Sequence, residues 1–142
     1  MTESESSGSD PFQHLHHLSY TDQQKSAREG EQQERTVLER LYGKGVWEAL
    51  LTNPHITIAE VARISCKGAL PQHLLDLIVS NPVWLTNTQV RRGLLVNPRL
   101  GRAQVERVLR SMPAHELKLV HKQSIYNPTV RNAALKLAGT GS

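Results

Sequence analysis

The sequence predicts an all-α fold assembled from short helices that recur along the chain. Four Asn-Pro pairs, at Asn53-Pro54, Asn81-Pro82, Asn97-Pro98 and Asn127-Pro128, are spaced 28, 16 and 30 residues apart. Pairing the first with the third and the second with the fourth exposes a period of about 44 residues. Apolar residues then recur at helical spacing, as in Val105, Val108, Leu109 and Met112, which follow i, i+3, i+4, i+7. Finally, aromatic residues make up only 4% of the chain. Burial must therefore come from leucine, valine, isoleucine and alanine, which suits packed helices better than a β-sandwich.

The two stretches that start at Asn53 and Asn97 match position by position once small gaps are allowed. Val61 and Arg63 fall on Val105 and Arg107, Leu70-Pro71 on Met112-Pro113, and His73 on His115. Further on, Leu75, Leu77 and Ile78 fall on Leu117, Leu119 and Val120, and Val90-Arg91 on Val130-Arg131. A partial copy precedes them, because Trp47 to Pro54 mirrors Arg91 to Pro98. The repeats are accordingly drawn at about 46–96 and 97–138, inside a helical-repeat domain of residues 31–142.

Each element has a local reason. Residues 1–30 are rich in Ser, Glu, Gln and Gly and poor in large apolar side chains. Such a composition cannot offset its ordering entropy by burial, so a disordered acidic tail is expected. One island interrupts it. Asp10 is placed to N-cap a turn with Pro11 at its first position, and Phe12, Leu15 and Leu18 recur every third residue, which suggests a transient helix or a linear motif. Glu31 to Tyr42 is expected as a capping helix. Asn-Pro is a sensible joint because proline disfavours helix in the residue before it. Thr57 to Glu60 and Thr86 to Gln89 are expected as capping boxes, and Pro71, Pro113 and Pro128 as first helical residues. In the helix after Gly101, the apolar stripe leaves Arg102, Arg107 and Arg110 toward solvent. Cys66 shares the register of Arg110 and is expected to be exposed.

The string Val90-Arg-Arg-Gly-Leu-Leu-Val-Asn-Pro98, followed by Gln104-Val-Glu-Arg-Val-Leu109, resembles the bacterial leucine-rich repeat variant, a family grouped with HEAT-like and armadillo-like α-solenoids. The resemblance covers roughly Val46 to Leu137. It implies a short right-handed α-solenoid, and it implies that the arginine after valine, Arg91 or Arg131, braces adjacent helices; the chain departs from the leucine-rich variant in its longer repeat of about 44 residues, which is closer to HEAT-type spacing. The cysteine cluster found in some leucine-rich variants has no counterpart, since Cys66 is the single cysteine.

Composition narrows the function classes. A chain of 142 residues holds one ordinary domain. A lone cysteine, no signal-like N-terminal run and no apolar stretch near the roughly 20 residues needed to cross a bilayer point to a cytoplasmic protein with no membrane span. The formal charge of +4 is unevenly spread. Residues 1–33 hold six acids and two bases, whereas Val90 to Lys136 holds ten Lys or Arg against Glu106 and Glu116 alone. Arg91, Arg92, Arg99, Arg102, Arg107, Arg110, Lys118 and Lys122 therefore form the candidate contact surface for phosphates or an acidic protein. No aromatic cluster accompanies them, which argues against a platform for stacking single strands.

Chemistry is not indicated. There is no glycine-rich phosphate loop, HExxH, GxSxG or paired-cysteine motif. His14, His16 and His17 lack Cys, Asp or Glu at ligand spacing and are read as ordinary tail residues, so no metal and no cofactor is expected. His73 and His115 recur at matched positions, as structural residues of a repeat do. A helical-repeat glycosylase with one acid in a basic groove is the enzymatic exception, with Asp76 or Glu106 as its acid by elimination. Trp47 and Trp84 are expected to pack. The reading is a non-enzymatic adaptor or scaffold that binds a protein partner through its basic C-terminal half. Nucleic-acid binding through the same arginines is the alternative, and self-association through a terminal face or masking of the basic half by the acidic tail are further expectations.

Overall fold

A computed structural model of the chain describes residues 11–140, and among these every regular element is helical. The chain divides into two compact units, one ending at Ile56 and the other beginning at Thr57.

The first unit contains a 3-10 turn at Gln13–Leu15, helix α1 (Tyr20–Glu29), α2 (Gln32–Tyr42), a second 3-10 turn at Gly43–Val46, and α3 (Trp47–Leu51). Ser19 caps α1, its hydroxyl accepting from the Asp22 N–H at 3.2 Å. At the start of α2 the Glu34 carboxylate accepts from the Glu31 N–H at 2.9 Å. Gly43 ends that helix at φ 53°, a left-handed backbone that glycine adopts without strain. Leu15, Ala27, Val37, Leu38, Val46, Trp47, Leu50 and Leu51 form the core. Each large aliphatic side chain buried there contributes about 1.5–3 kcal/mol relative to exposure.

This unit corrects the expected boundary of the tail. Residues 11–30 carry a 3-10 turn and a ten-residue helix, and Ala27 is fully buried. The composition argument counted apolar side chains, but α1 is also held through polar ties, including Gln24 Nε2 to Gly45 O at 2.7 Å and acceptor carbonyls at its C-terminal end. The Asn53 side chain, 2% exposed, donates from Nδ2 to the carbonyls of Ala27 and Gly30, both at 3.0 Å. Arg35, equally buried, donates to Gly30 O at 2.9 Å and to His55 O at 3.2 Å. The island around Leu15 is likewise fixed in place: the Tyr42 hydroxyl donates to Leu15 O at 2.5 Å and accepts from the Leu18 N–H at 2.9 Å. Its proposed cap, Asp10, lies outside the described residues.

The second unit contains α4 (Ile58–Ser65), α5 (Gln72–Val79), α6 (Pro82–Leu85), α7 (Thr88–Leu95), α8 (Arg102–Arg110), α9 (Ala114–Val120) and α10 (Pro128–Thr140). The Thr57–Glu60 capping box forms as expected, with 2.8 Å from the Thr57 N–H to Glu60 Oε1 and 3.3 Å from the Glu60 N–H to Thr57 Oγ1. Gln104 reaches back in the same way to the Gly101 N–H at 2.7 Å. α4 packs most extensively on α7, and α8 lies against α5, α7 and α10. The stripe of Val105, Val108, Leu109 and Met112 is buried as its spacing requires.

Three local expectations change. Asn87, not Thr86, caps α7, accepting from the Gln89 and Val90 N–H groups at 2.8 and 3.1 Å, because its carboxamide oxygen sits one residue nearer the helix. Thr86 instead closes α6, donating to Val83 O at 2.6 Å. Pro71 and Pro113 are N-caps at ψ 155° and 149°. The extended conformation of an N-cap agrees with proline's fixed φ as well as the first helical position does. Only Pro128 opens its helix as expected.

The four Asn-Pro pairs separate into two kinds. Asn81 and Asn127 are N-caps: Asn81 accepts from Val83 and Trp84, and Asn127 from Val130 at 2.9 Å. Asn53 and Asn97 are buried clamps. Asn97, 1% exposed, donates to Ser65 O at 2.8 Å and Lys67 O at 2.9 Å while its oxygen accepts from the Arg99 N–H. These two clamps tie the end of one helix to the start of the next loop in each unit.

Candidate functional site

The candidate surface lies in the second unit. Arg92, Arg99, Arg102, Arg107, Arg110, Lys118 and Lys122 are all exposed. Arg91 is not among the available cations. It is 3% exposed and gives its guanidinium to Leu85 O at 2.9 Å and Thr88 Oγ1 at 3.2 Å, and pairs with Glu116 at 2.5 Å. An arginine so engaged and so buried ties α7 to α9 and does not present its charge at the surface. Arg131 donates from Nε to Tyr126 O at 3.0 Å, holding the start of α10 to the loop before it.

The seven exposed cations do not form one cluster. Arg102 and Arg110 line a groove of about 520 Å³ between α8 and α10, where Lys136 joins them and Thr129, Asn132, Ala133 and Leu137 complete the α10 wall. Glu106 stands between the two arginines and lies 3.8 Å from Arg110. Both partners of that pair are well exposed, so it contributes little to stability. Arg92 lines a separate recess of about 220 Å³ between α7 and α9, beside His115, Glu116 and the half-exposed Leu119. Arg99, Arg107, Lys118 and Lys122 line neither. The Arg99 carbonyl accepts from Gln72 Nε2, which fixes the loop after α7 against the start of α5.

The residues weighed for chemistry are placed as follows. Asp76 accepts from Gln104 Nε2 at 2.6 Å across the α5–α8 contact, and Glu106 faces Arg110. The rings of His16 and His17 are 6.3 Å apart, and no group of three His, Cys, Asp or Glu among the described residues is placed to hold a metal ion. Cys66 is exposed, as its register implies. Trp47 is buried at 6% exposure and Trp84 is only partly covered. No helix among the described residues is long and apolar enough to cross a membrane.

Sequence reasoning missed the whole α10 wall of the groove, Thr129, Asn132, Ala133, Lys136 and Leu137. The signal was present, since Asn132 and Lys136 are four residues apart and so share a face of one helix. Which helix faces which could not be read from that spacing. Comparison with known proteins gives no match, whether to a family model, a curated protein or a solved structure.

Proposed function

We propose that the chain is a non-enzymatic helical-repeat module of the HEAT-like kind that binds a protein partner through the basic face of its second unit. The observation that carries this reading is the division of labour among the arginines. Arg91 and Arg131 are spent on the fold, while Arg92, Arg99, Arg102, Arg107, Arg110, Lys118 and Lys122 stand exposed and meet few acids. The repeat reading is supported by the recurrence of one buried clamp at Asn53 and Asn97, 44 residues apart. The excess of cations over acids between Val90 and Lys136 favours nucleic acid as the second reading.

The test compares the full chain with a variant carrying Arg99→Glu, Arg102→Glu, Arg107→Glu and Arg110→Glu, each immobilised and exposed to nuclease-treated and untreated extract. Proteins retained by the native chain after nuclease treatment and lost by the variant support the protein reading. Retention that disappears with nuclease transfers the surface to nucleic acid. Equal retention by both chains removes the basic face from either role.

A further inference from the structure

The groove between α8 and α10 is best understood against the α4–α7 pair, which occupies matching positions in the internal alignment. Counting 44 residues on from Ile58, Ala62 and Cys66 in α4 gives Arg102, Glu106 and Arg110 in α8. In the register that sets Val90-Arg91 on Val130-Arg131, Gly93 and Asn97 fall on Ala133 and Leu137. The earlier pair is closed. A Cβ on Gly93 would lie 3.0 Å from Ala62 O and 3.2 Å from the Ser65 Cβ, so the two helix backbones meet there. Asn97 then clamps the end of α4 through Ser65 O and Lys67 O.

Every one of those features is replaced in the later pair. Ala133 carries a methyl where Gly93 has none, Leu137 stands in the place of the clamp asparagine, and two arginines and a glutamate replace isoleucine, cysteine and alanine. The two helices still touch, but less extensively than α4 and α7, and a groove of about 520 Å³ lies between them. Its two walls are matched stripes. Arg102, Glu106 and Arg110 follow i, i+4, i+8 on one helix, and Thr129, Ala133 and Leu137 do the same on the other. At 1.5 Å per residue each stripe runs about 12 Å.

We propose that this groove seats an acidic peptide segment of the partner, with carboxylates set against Arg102 and Arg110 and an uncharged residue set against Glu106. The proposal rests on the protein-binding reading above and names its site. Among the described lining residues three cations stand against one acid, which provides the charge complementarity, and Ala133 with Leu137 gives the α10 wall an apolar stretch for a side chain between the carboxylates. The central glutamate decides between peptide and nucleic acid. A strand carries a phosphate at every nucleotide, so one lying along the groove would press a phosphate on Glu106, whereas a peptide can leave that position uncharged. None of the described residues that line the groove is an aromatic on which a base could stack.

The experiment is fluorescence anisotropy with the full chain and two labelled probes, a peptide of repeated Glu-Glu-Leu-Ala and a single-stranded oligonucleotide. Two variants of equal charge change are compared, Arg102→Glu/Arg110→Glu and Arg99→Glu/Arg107→Glu, with circular dichroism to verify that each is folded. The expected result is saturable peptide binding that weakens about tenfold or more in the first variant and less than about twofold in the second. Equal weakening in both overturns the groove assignment and leaves the wider basic face standing. Oligonucleotide binding without peptide binding overturns both readings, and saturable binding of neither probe overturns the groove assignment.

Discussion

Each unit of this protein buries one arginine and one asparagine, and the two pairs are wired differently. In the first unit Arg35 and Asn53 have one acceptor in common, the Gly30 carbonyl, beside His55 O for the arginine and Ala27 O for the asparagine. In the second, Arg91 serves Leu85 O, Thr88 and Glu116, while Asn97 serves Ser65 O and Lys67 O, with no acceptor in common. The same two residue types thus make a shared network in one place and two independent ties in the other. A shared acceptor keeps a hydrogen bond when one donor is removed; an independent tie does not.

The largest expected effect is at the independent ion pair. Arg91→Ala leaves Glu116, whose side chain is 23% exposed, without its partner and is expected to cost about 3 kcal/mol in a denaturant titration. Arg91→Lys is expected to recover little of it, because an ammonium cannot reach the carboxylate and the Leu85 carbonyl in one plane. A loss for Arg91→Ala of no more than about 1 kcal/mol, the range of an exposed pair, would break the comparison.

Next comes the close approach at Gly93. In most helix interiors a side chain in place of glycine is stabilising. Here Gly93→Val is expected to cost about 2–3 kcal/mol, since its Cβ meets Ala62 O at 3.0 Å. The aligned change Ala133→Gly in the open pair is expected to cost about 1 kcal/mol, from helix propensity alone. Thermal unfolding of the two variants reads both.

The asparagine clamps sharpen the comparison most, through the small coupling terms they are expected to show. Asn97→Ala is expected to cost about 2 kcal/mol, and Asn53→Ala somewhat less, since Gly30 O keeps Arg35. Double-mutant cycles should then give a coupling of about 1 kcal/mol for Arg35 with Asn53, and additivity within about 0.5 kcal/mol for Arg91 with Asn97. Equal coupling in the two cycles would show that sharing an acceptor does not matter here.

Much of this architecture is legible in the sequence, for a physical reason. Apolar periodicity reports side-chain burial, and it placed α8 and the outward direction of Arg102, Arg107 and Arg110 correctly. It could not find α1, in which Ala27 is the one fully buried side chain and the ties to the unit run through polar groups, the Ala27 carbonyl and the Gln24 carboxamide among them, that apolar spacing does not register. The Asn-Pro spacing was visible, but its alternation gained meaning only when two of the asparagines proved to be caps and two proved to be clamps. Arginine exposure followed from a stripe on one helix. The grouping of Arg102 and Arg110 with Lys136 depends on the gap between two helices, a quantity set by Ala133 and Leu137 as much as by the charges.

The proline that follows each buried clamp has a chemical consequence. Asparagine ages fastest when the backbone nitrogen of the next residue attacks its carboxamide and closes a succinimide, a reaction that needs an N–H. Pro54 and Pro98 have none. Asn53 and Asn97 are therefore shielded from the hydrolysis that would turn a donor of two hydrogen bonds into a carboxylate facing two carbonyl oxygens. In each unit the residue that marks the joint also preserves the chemical identity of the amide that holds it.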